Sequence, residues 1–248
     1  MVTNFFLRSR AFDPSITEMM DRPQPVSAHL AVDLANLKRI NRYFGSYALI
    51  RHFLRRWLRP CDTASILDLC TASADIPRFV VDWARRAPVS VRVVGVDFRE
   101  STLEIARRES RHYPEIEFIC ANVLEFEPAE TFDLVFCSLA LHHFSDRDAE
   151  LLLRRVRKFA TRGLLVADIA RSDFGALGIY ALTATLLREP MTRFDARLSM
   201  KRAFSVAELW ALAVKAGWKN FGHRRFPVSR QAIWLEKSGA LHDSQSFE

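Results

Sequence analysis

The 248-residue sequence predicts an α/β protein: a doubly wound, mostly parallel sheet with N-terminal helices and a helical cap insertion. Three observations carry this. Short β-branched or apolar runs alternate with helical stretches from Ser65 to Ile169, the order that βαβ crossovers require. A composition of 49% hydrophobic and 26% charged residues is that of a globular core-forming chain, which excludes disorder and coiled coil. Small or acidic residues follow several of the runs, as at Asp68-Leu69-Cys70-Thr71 and Asp97, where an open parallel sheet turns into its next helix.

Taken in order, residues 1–26 carry Pro14, Pro23 and Pro25 and read as an arm with one short helix. Leu30, Leu34, Leu37 and Ile40 share one helical face, and Tyr47, Ile50, Leu54 and Leu58 form a second after Gly45. These N-terminal helices (1–60 with the arm) precede a sheet domain over 61–237. Its strands are expected at 65–69, 91–97, 115–120, 132–138 and 163–169. Its helices are expected at 75–86, 101–111, 146–159 and 205–216. Residues 170–204 interrupt the alternation and read as a cap, since so long a connection in a compact domain is uncommon. Gly217 ends the last helix. Two short strands near 221–227 and 231–235, joined by a tight turn, form an antiparallel pair, and 238–248 is a tail.

Thirty-six Lys and Arg against 29 Asp and Glu give a net charge of +7, and only six of the basic residues are lysine. Interleaved acids make a solvated basic surface the leading reading, with an anionic partner or membrane face as the other. Cys61, Cys70, Cys120 and Cys137 form no Cys-x-x-Cys pair and have no His at metal-ligand spacing, so neither a metal nor a disulfide framework is expected. Arg8 and Arg10 break the only apolar start, and the weakly charged stretch from Phe174 to Leu187 is too short to span a bilayer. The expectation is a soluble, cytoplasmic protein.

Ligands of such sheets lie at the carboxyl ends of the strands, where strand order reverses. The first candidate is therefore Asp68-Leu69-Cys70-Thr71-Ala72-Ser73-Ala74-Asp75, a small-residue turn opening onto a helix N-terminus. Asp97 can accept both hydroxyls of a ribose. Asn122, beside Val123, can hydrogen-bond an adenine edge or simply make a turn. The fourth strand ends at Ser138-Leu139-Ala140-Leu141-His142-His143-Phe144, where a reacting group would lie. His142 and His143 are candidate general bases, or one of them packs within the site. Arg171 and Ser172 face an acceptor or start a helix. The apolar segment Phe174 to Tyr180 lines an acceptor pocket or packs as ordinary helix.

Ile66-Leu67-Asp68-Leu69 with Asp75-Ile76-Pro77, Val94-Gly95-Val96-Asp97, Phe132-Asp133-Leu134-Val135, Leu141-His142-His143-Phe144 and Gly163-Leu164-Leu165-Val166 occur in an order and spacing that resembles class I S-adenosylmethionine-dependent methyltransferases. The likeness covers roughly 27–237. It is to small-molecule members, such as those of ubiquinone and menaquinone biosynthesis and those acting on phenolic or polyketide products. The resemblance implies a Rossmann-like seven-stranded sheet with a reversed last strand and S-adenosylmethionine as cofactor, released as S-adenosylhomocysteine. It implies cofactor contacts at Asp68, Cys70, Thr71, Ala72, Ser73, Asp97, Phe98, Asn122, Val123, Ser138 and Leu139, and acceptor contacts at Arg171, Ser172 and Tyr180. One departure stands out: Cys70, Ala72 and Ala74 occupy the three glycine positions of the first loop. Positive φ there costs a side chain about 1 kcal/mol or more.

Methyl transfer to an oxygen or carbon of an apolar or aromatic small molecule is the leading function. The alternative is a methyltransferase fold that no longer transfers methyl groups, acting as a partner subunit or a non-methylating catalyst. A nucleic-acid substrate is the minor reading, since the amino-methylating DNA motif and the RNA cytosine-C5 cysteine motif are both missing. Acceptor identity and oligomeric state, a homodimer included, stay open.

Overall fold

The computed structural model describes residues 9–185 and 189–237. The last residues of the expected apolar stretch, Leu186 and Leu187, and the tail 238–248 lie outside them. Seven strands form one open sheet in the order β3-β2-β1-β4-β5-β7-β6. β1 (Thr63–Leu69), β2 (Ser90–Asp97), β3 (Ile116–Cys120), β4 (Phe132–Ser138) and β5 (Ala160–Ile169) pair in parallel. β7 (Arg230–Glu236) runs antiparallel to both β5 and β6 (Gly222–Phe226). Strand order reverses between β1 and β4, which opens a crevice above their carboxyl ends.

Eight helices accompany the sheet among the described residues: α1 (Ala28–Tyr43), α2 (Ser46–Trp57), α3 (Asp75–Arg86), α4 (Glu100–Glu109), α5 (Asp146–Val156), α6 (Asp173–Thr185), α7 (Pro190–Arg202) and α8 (Val206–Lys215). Their ends follow local chemistry. Ser27 accepts the Leu30 N–H at the start of α1, and Ser205 with Glu208 forms a capping box on α8. Gly217 ends α8 at φ 79°. The central strands are apolar on both faces because helices cover both. Leu67, Val135 and Leu164 pack toward α5 and α8, while Ile66, Phe136 and Leu165 pack toward α2 and α3.

Most boundaries agree with the expectation within two residues; the arm and the junction of α5 with β5 do not. Residues 9–26 form turns and bends with no helix; their hydrogen bonds go to the cap, as when Ala11 N–H donates to the Lys201 carbonyl. α5 stops at Val156 and β5 begins at Ala160. The polar pair Thr161-Arg162 hides this strand start in the sequence, but Ala160 pairs with Phe132 across a register shift and the Thr161 hydroxyl donates to the Phe132 carbonyl. The cap resolves into α6 and α7, and α7 crosses α1 through a buried chain in which Asn36 donates to Thr192 and Thr192 to Asp33. No helix is long and apolar enough to cross a membrane among the described residues.

α2 docks on the sheet through Trp57, whose indole lies over Gly163 and donates to Glu236 at 2.9 Å. A Cβ at position 163 would meet the indole at 2.9 Å and Leu134 at 3.1 Å. Gly163→Ala is expected to cost about 1–3 kcal/mol, read as a lowered urea midpoint with unchanged slope. A neutral substitution would contradict this packing.

Candidate functional site

The turn from β1 into α3 has the backbone of a glycine-rich loop without its glycines. Cys70, Ala72 and Ala74 take φ of 58°, 46° and 59°, a region that costs an L-residue about 1–2 kcal/mol each. The surroundings leave no alternative. Thr71 N–H donates to the Val96 carbonyl at 3.0 Å, and Ala72 N–H to Asp97 Oδ2 at 2.9 Å. Ala74 N–H donates to the Thr71 carbonyl at 2.8 Å, and Arg78, paired with Glu109, donates to the Ser73 carbonyl at 2.6 Å. Thr71 sits on Gly95, where a Cβ would come within 3.0 Å of it. The Ala72 methyl joins the apolar cluster around Leu30 and Leu34.

Two acids frame this loop. Asp97, at the end of β2, also accepts the Arg99 N–H at 3.0 Å; each of its oxygens has a lone pair to spare. Burial pushes its carboxyl up. Asp68 accepts the Thr71 hydroxyl at 2.7 Å through Oδ2, while its buried Oδ1 has no partner. Burial, reinforced by Asp75 and Asp97, raises Asp68 to about 7. Ser138 Oγ, at the end of β4, is likewise buried without a partner.

On the opposite wall stands the histidine pair of a short 3-10 turn, Leu141–His143. Asp168, at the end of β5, accepts the His142 backbone N–H at 2.9 Å and holds Nδ1 at 2.7 Å. The carboxylate can only accept, so Nδ1 carries the proton and Nε2 keeps its lone pair. Burial lowers His142, outweighing the pull of Asp168. Burial alone would raise Asp168, but His142, the Ile169 N–H and His143 together outweigh it and hold it below the usual carboxylate range.

The arm supplies two acids to this wall. Asp21 Oδ2 lies 2.7 Å from His143 Nδ1. Glu18, 2% exposed, accepts the Ser199 hydroxyl at 2.8 Å and lies 3.8 Å from His143 Nε2 and 4.0 Å from His142 Nε2. Burial alone would lower His143, but Glu18 and Asp21 outweigh it and push it up to about 10. Burial raises Glu18 to about 8. Glu18, His142 and His143 each offer a ligand atom, all within 4.8 Å of one another; such a set can hold a divalent cation, and proton sharing accounts for the same contacts.

These walls enclose one cleft of about 490 Å³. Every residue expected at the cofactor lines it: Asp68 from β1 and Cys70, Thr71, Ala72 and Ser73 from the loop after it, Asp97 and Phe98 at the end of β2, Asn122 and Val123 after β3, and Ser138 and Leu139 at the end of β4. Asn122 is also the turn residue, accepting the Leu124 N–H at 3.1 Å and donating to Glu125. The three expected acceptor contacts do not line it. Arg171 donates to the Ala203 carbonyl and to Glu208 at 2.7 Å, bracing β5 against α8. Ser172 accepts the Gly175 N–H at the start of α6, and Tyr180 carries Arg197 on its ring at 4.5 Å. From the cap, Ile179, Ala196, Ser199 and Met200 reach the cleft.

Glu18, Asp21 and Arg230 line the cleft and escape sequence reasoning. The two arm acids lie about 120 residues from the histidines in an irregular segment with no periodicity to place them, and Arg230 reads as a strand-start charge.

Residues 66–163 match the family model described as a methyltransferase domain. Over these residues the chain is similar to methyltransferase domains. The 2-phytyl-1,4-naphtoquinone methyltransferase of Thermosynechococcus vestitus is 35% identical over 105 residues, covering 42% of this chain and 45% of that protein. The chain spans less than half the length of the curated relatives it matches. Among solved structures, the plantazolicin methyltransferase BamL, with a triazolic desmethylPZN analog and SAH, superposes with a TM-score of 0.63 at 12% identity, covering 84% of this chain and 90% of that one. Human N-acetylserotonin methyltransferase with SAM gives 0.58 at 15% identity, covering 82% and 54%. These likenesses show the fold.

The loop depends on Asp97 as acceptor. Asp97→Ala leaves the half-buried Ala72 N–H without its carboxylate and is expected to cost about 1–3 kcal/mol. Urea unfolding checks this, and a variant as stable as the parent would contradict it.

Proposed function

We propose that the protein transfers the methyl group of S-adenosylmethionine to an oxygen or carbon of an apolar or aromatic small molecule, a phenol, quinone precursor or polyketide. The observation that carries the reading is the opening of the left-handed loop, Asp97 and the His142–Asp168 pair into one cleft. The donor would supply an electrophilic sulfonium methyl. The residues fit it: Asp97 has lone pairs for a ribose, and Asp68 Oδ1 is a buried acceptor lacking a cationic or donor partner. Cys70, Ala72 and Ala74 keep the backbone that glycines would take, which weighs against the non-methylating reading.

His142 takes the proton of an acceptor hydroxyl at Nε2, while Asp168 fixes its tautomer and balances the imidazolium that forms. Apolar residues of α1 and the cap, Leu34, Leu37, Ile40, Ile179 and Met200, line the same space and limit water around the transfer. A phenolic or quinol oxygen suits this wall, and the naphthoquinone methyltransferase among the relatives is in keeping with it. The apolar lining disfavours RNA, despite the net charge of +7.

The test is transfer of labelled methyl from S-adenosylmethionine to a panel of phenols and quinols. Because His142 acts as the neutral base, the rate is expected to be level at neutral pH and to fall in acid with an apparent pKa below the ordinary 6.5. His142→Ala is expected to lower kcat about 10²–10⁴-fold with donor affinity unchanged. No transfer to any member of the panel, or an acid limb that survives His142→Ala, would contradict the reading.

A further inference from the structure

Arg230 is 6% exposed and lines the cleft, yet no carboxylate of the described residues stands within ion-pair distance of it. Its Nε donates to Ser46 Oγ at 3.0 Å, and Nη1 reaches the Val228 carbonyl only at 3.5 Å. Of the four buried arginines among the described residues, Arg202 also lacks a carboxylate but donates to the Asp13 and Ile16 carbonyls, whereas the other two are ion-paired. Buried Arg78 meets Glu109, and buried Arg171 meets Glu208, both at 2.7 Å. A buried guanidinium without an ion-pair partner is costly: Asp168 attracts Arg230 from beyond ion-pair distance, yet burial outweighs it and lowers Arg230 to about 10.

Its neighbourhood adds to the deficit. Ser46 opens α2, a helix whose N-cap, Gly45, supplies no side-chain acceptor and whose first turn holds no acid. The positive end of that helix therefore faces a positive side chain, the reverse of the favourable arrangement. An anion entering from the cleft would meet the Arg230 guanidinium.

The place of Arg230 in the sheet tells which ligand brings that anion. Arg230 pairs with Ile169 across β7 and β5, one residue beyond the Asp168 that holds His142. The donor loop follows β1, three strand spacings away, or about 14 Å at 4.7–4.9 Å per strand. Arg230 thus belongs to the acceptor side, where Ile169 and Ile179 supply apolar walls.

We propose that Arg230, beside the N-terminus of α2, is an anion pocket for the acceptor, so that the acceptor is a carboxylate-bearing aromatic or apolar molecule. The proposal rests on the methyl-transfer reading and narrows its substrate class. The anion belongs to the acceptor, with the carboxylate of the donor's methionine end as the competing source.

The probes are 4-hydroxybenzoate and its neutral analogue 4-hydroxybenzamide, titrated calorimetrically into the full chain with and without saturating S-adenosylhomocysteine. The acid is expected to bind about tenfold or more tighter than the amide. Arg230→Gln is expected to abolish that preference and leave S-adenosylhomocysteine affinity unchanged, while Arg230→Lys keeps part of it. Equal binding of acid and amide, no binding of the acid at millimolar concentration, or a preference that survives Arg230→Gln would overturn the proposal. So would a loss of S-adenosylhomocysteine affinity in Arg230→Gln, which would assign the anion to the donor. The acid–amide comparison on the parent protein decides the matter even if Arg230→Gln does not fold. An acid preference without any S-adenosylhomocysteine binding would leave the pocket standing and sink the methyl-transfer reading instead.

Discussion

The hydrogen bond from the Ala72 N–H to the carboxylate of Asp97 is the constraint on which the cleft depends. It joins the end of β2 to the loop after β1, two walls of the same cleft. It also pins Ala72 at a φ that alanine avoids. The neighbouring left-handed residues follow from it, since Thr71 is held between Val96, Asp68 and the bare face of Gly95, and Arg78 closes the far side. Glycine is the common solution to such a backbone because it needs no support. Here the support is external, and the strain is carried by groups that would be buried in any case.

The second organising element is the arm. Its backbone is irregular, yet it is fastened to the cap at several points: Met19 and Met20 N–H groups donate to Asp195, and Arg202 donates to the carbonyls of Asp13 and Ile16. Those ties deliver Glu18 and Asp21 to the histidine wall. The result divides labour between adjacent imidazoles. His142, backed by Asp168, is kept neutral by burial, whereas His143, flanked by Glu18 and Asp21, is kept charged. Two residues adjacent in sequence thus acquire opposite protonation behaviour from what surrounds them.

Much of the sheet was legible in the sequence because buried parallel strands are written as contiguous apolar runs, as in Val93 to Val96 and Leu134 to Cys137. The half of the cleft around the loop after β1 was legible for a related reason: its residues sit at strand ends, and strand ends can be found once strands are. The opposite half was not. Arg171 carries the same strand-end signature as Asp97, yet it turns to Glu208 on α8, a choice made by a helix more than thirty residues away. Glu18 and Arg230 reach the cleft through tertiary contacts that leave no periodic trace. Thr161 and Arg162 hid the start of β5, since an edge of polar residues reads as loop until its partner strand is known.

The central claim is that a loop without glycines keeps the geometry of one that has them and grips the donor with it. A crystal structure of the protein grown with S-adenosylhomocysteine tests it most directly. The account predicts the ligand across the ends of β1 and β2, its ribose on Asp97, with Cys70, Ala72 and Ala74 all at positive φ. A loop that has swung into ordinary backbone geometry, or a ligand that cannot enter because Cys70 and Ala72 fill the crevice, would contradict it.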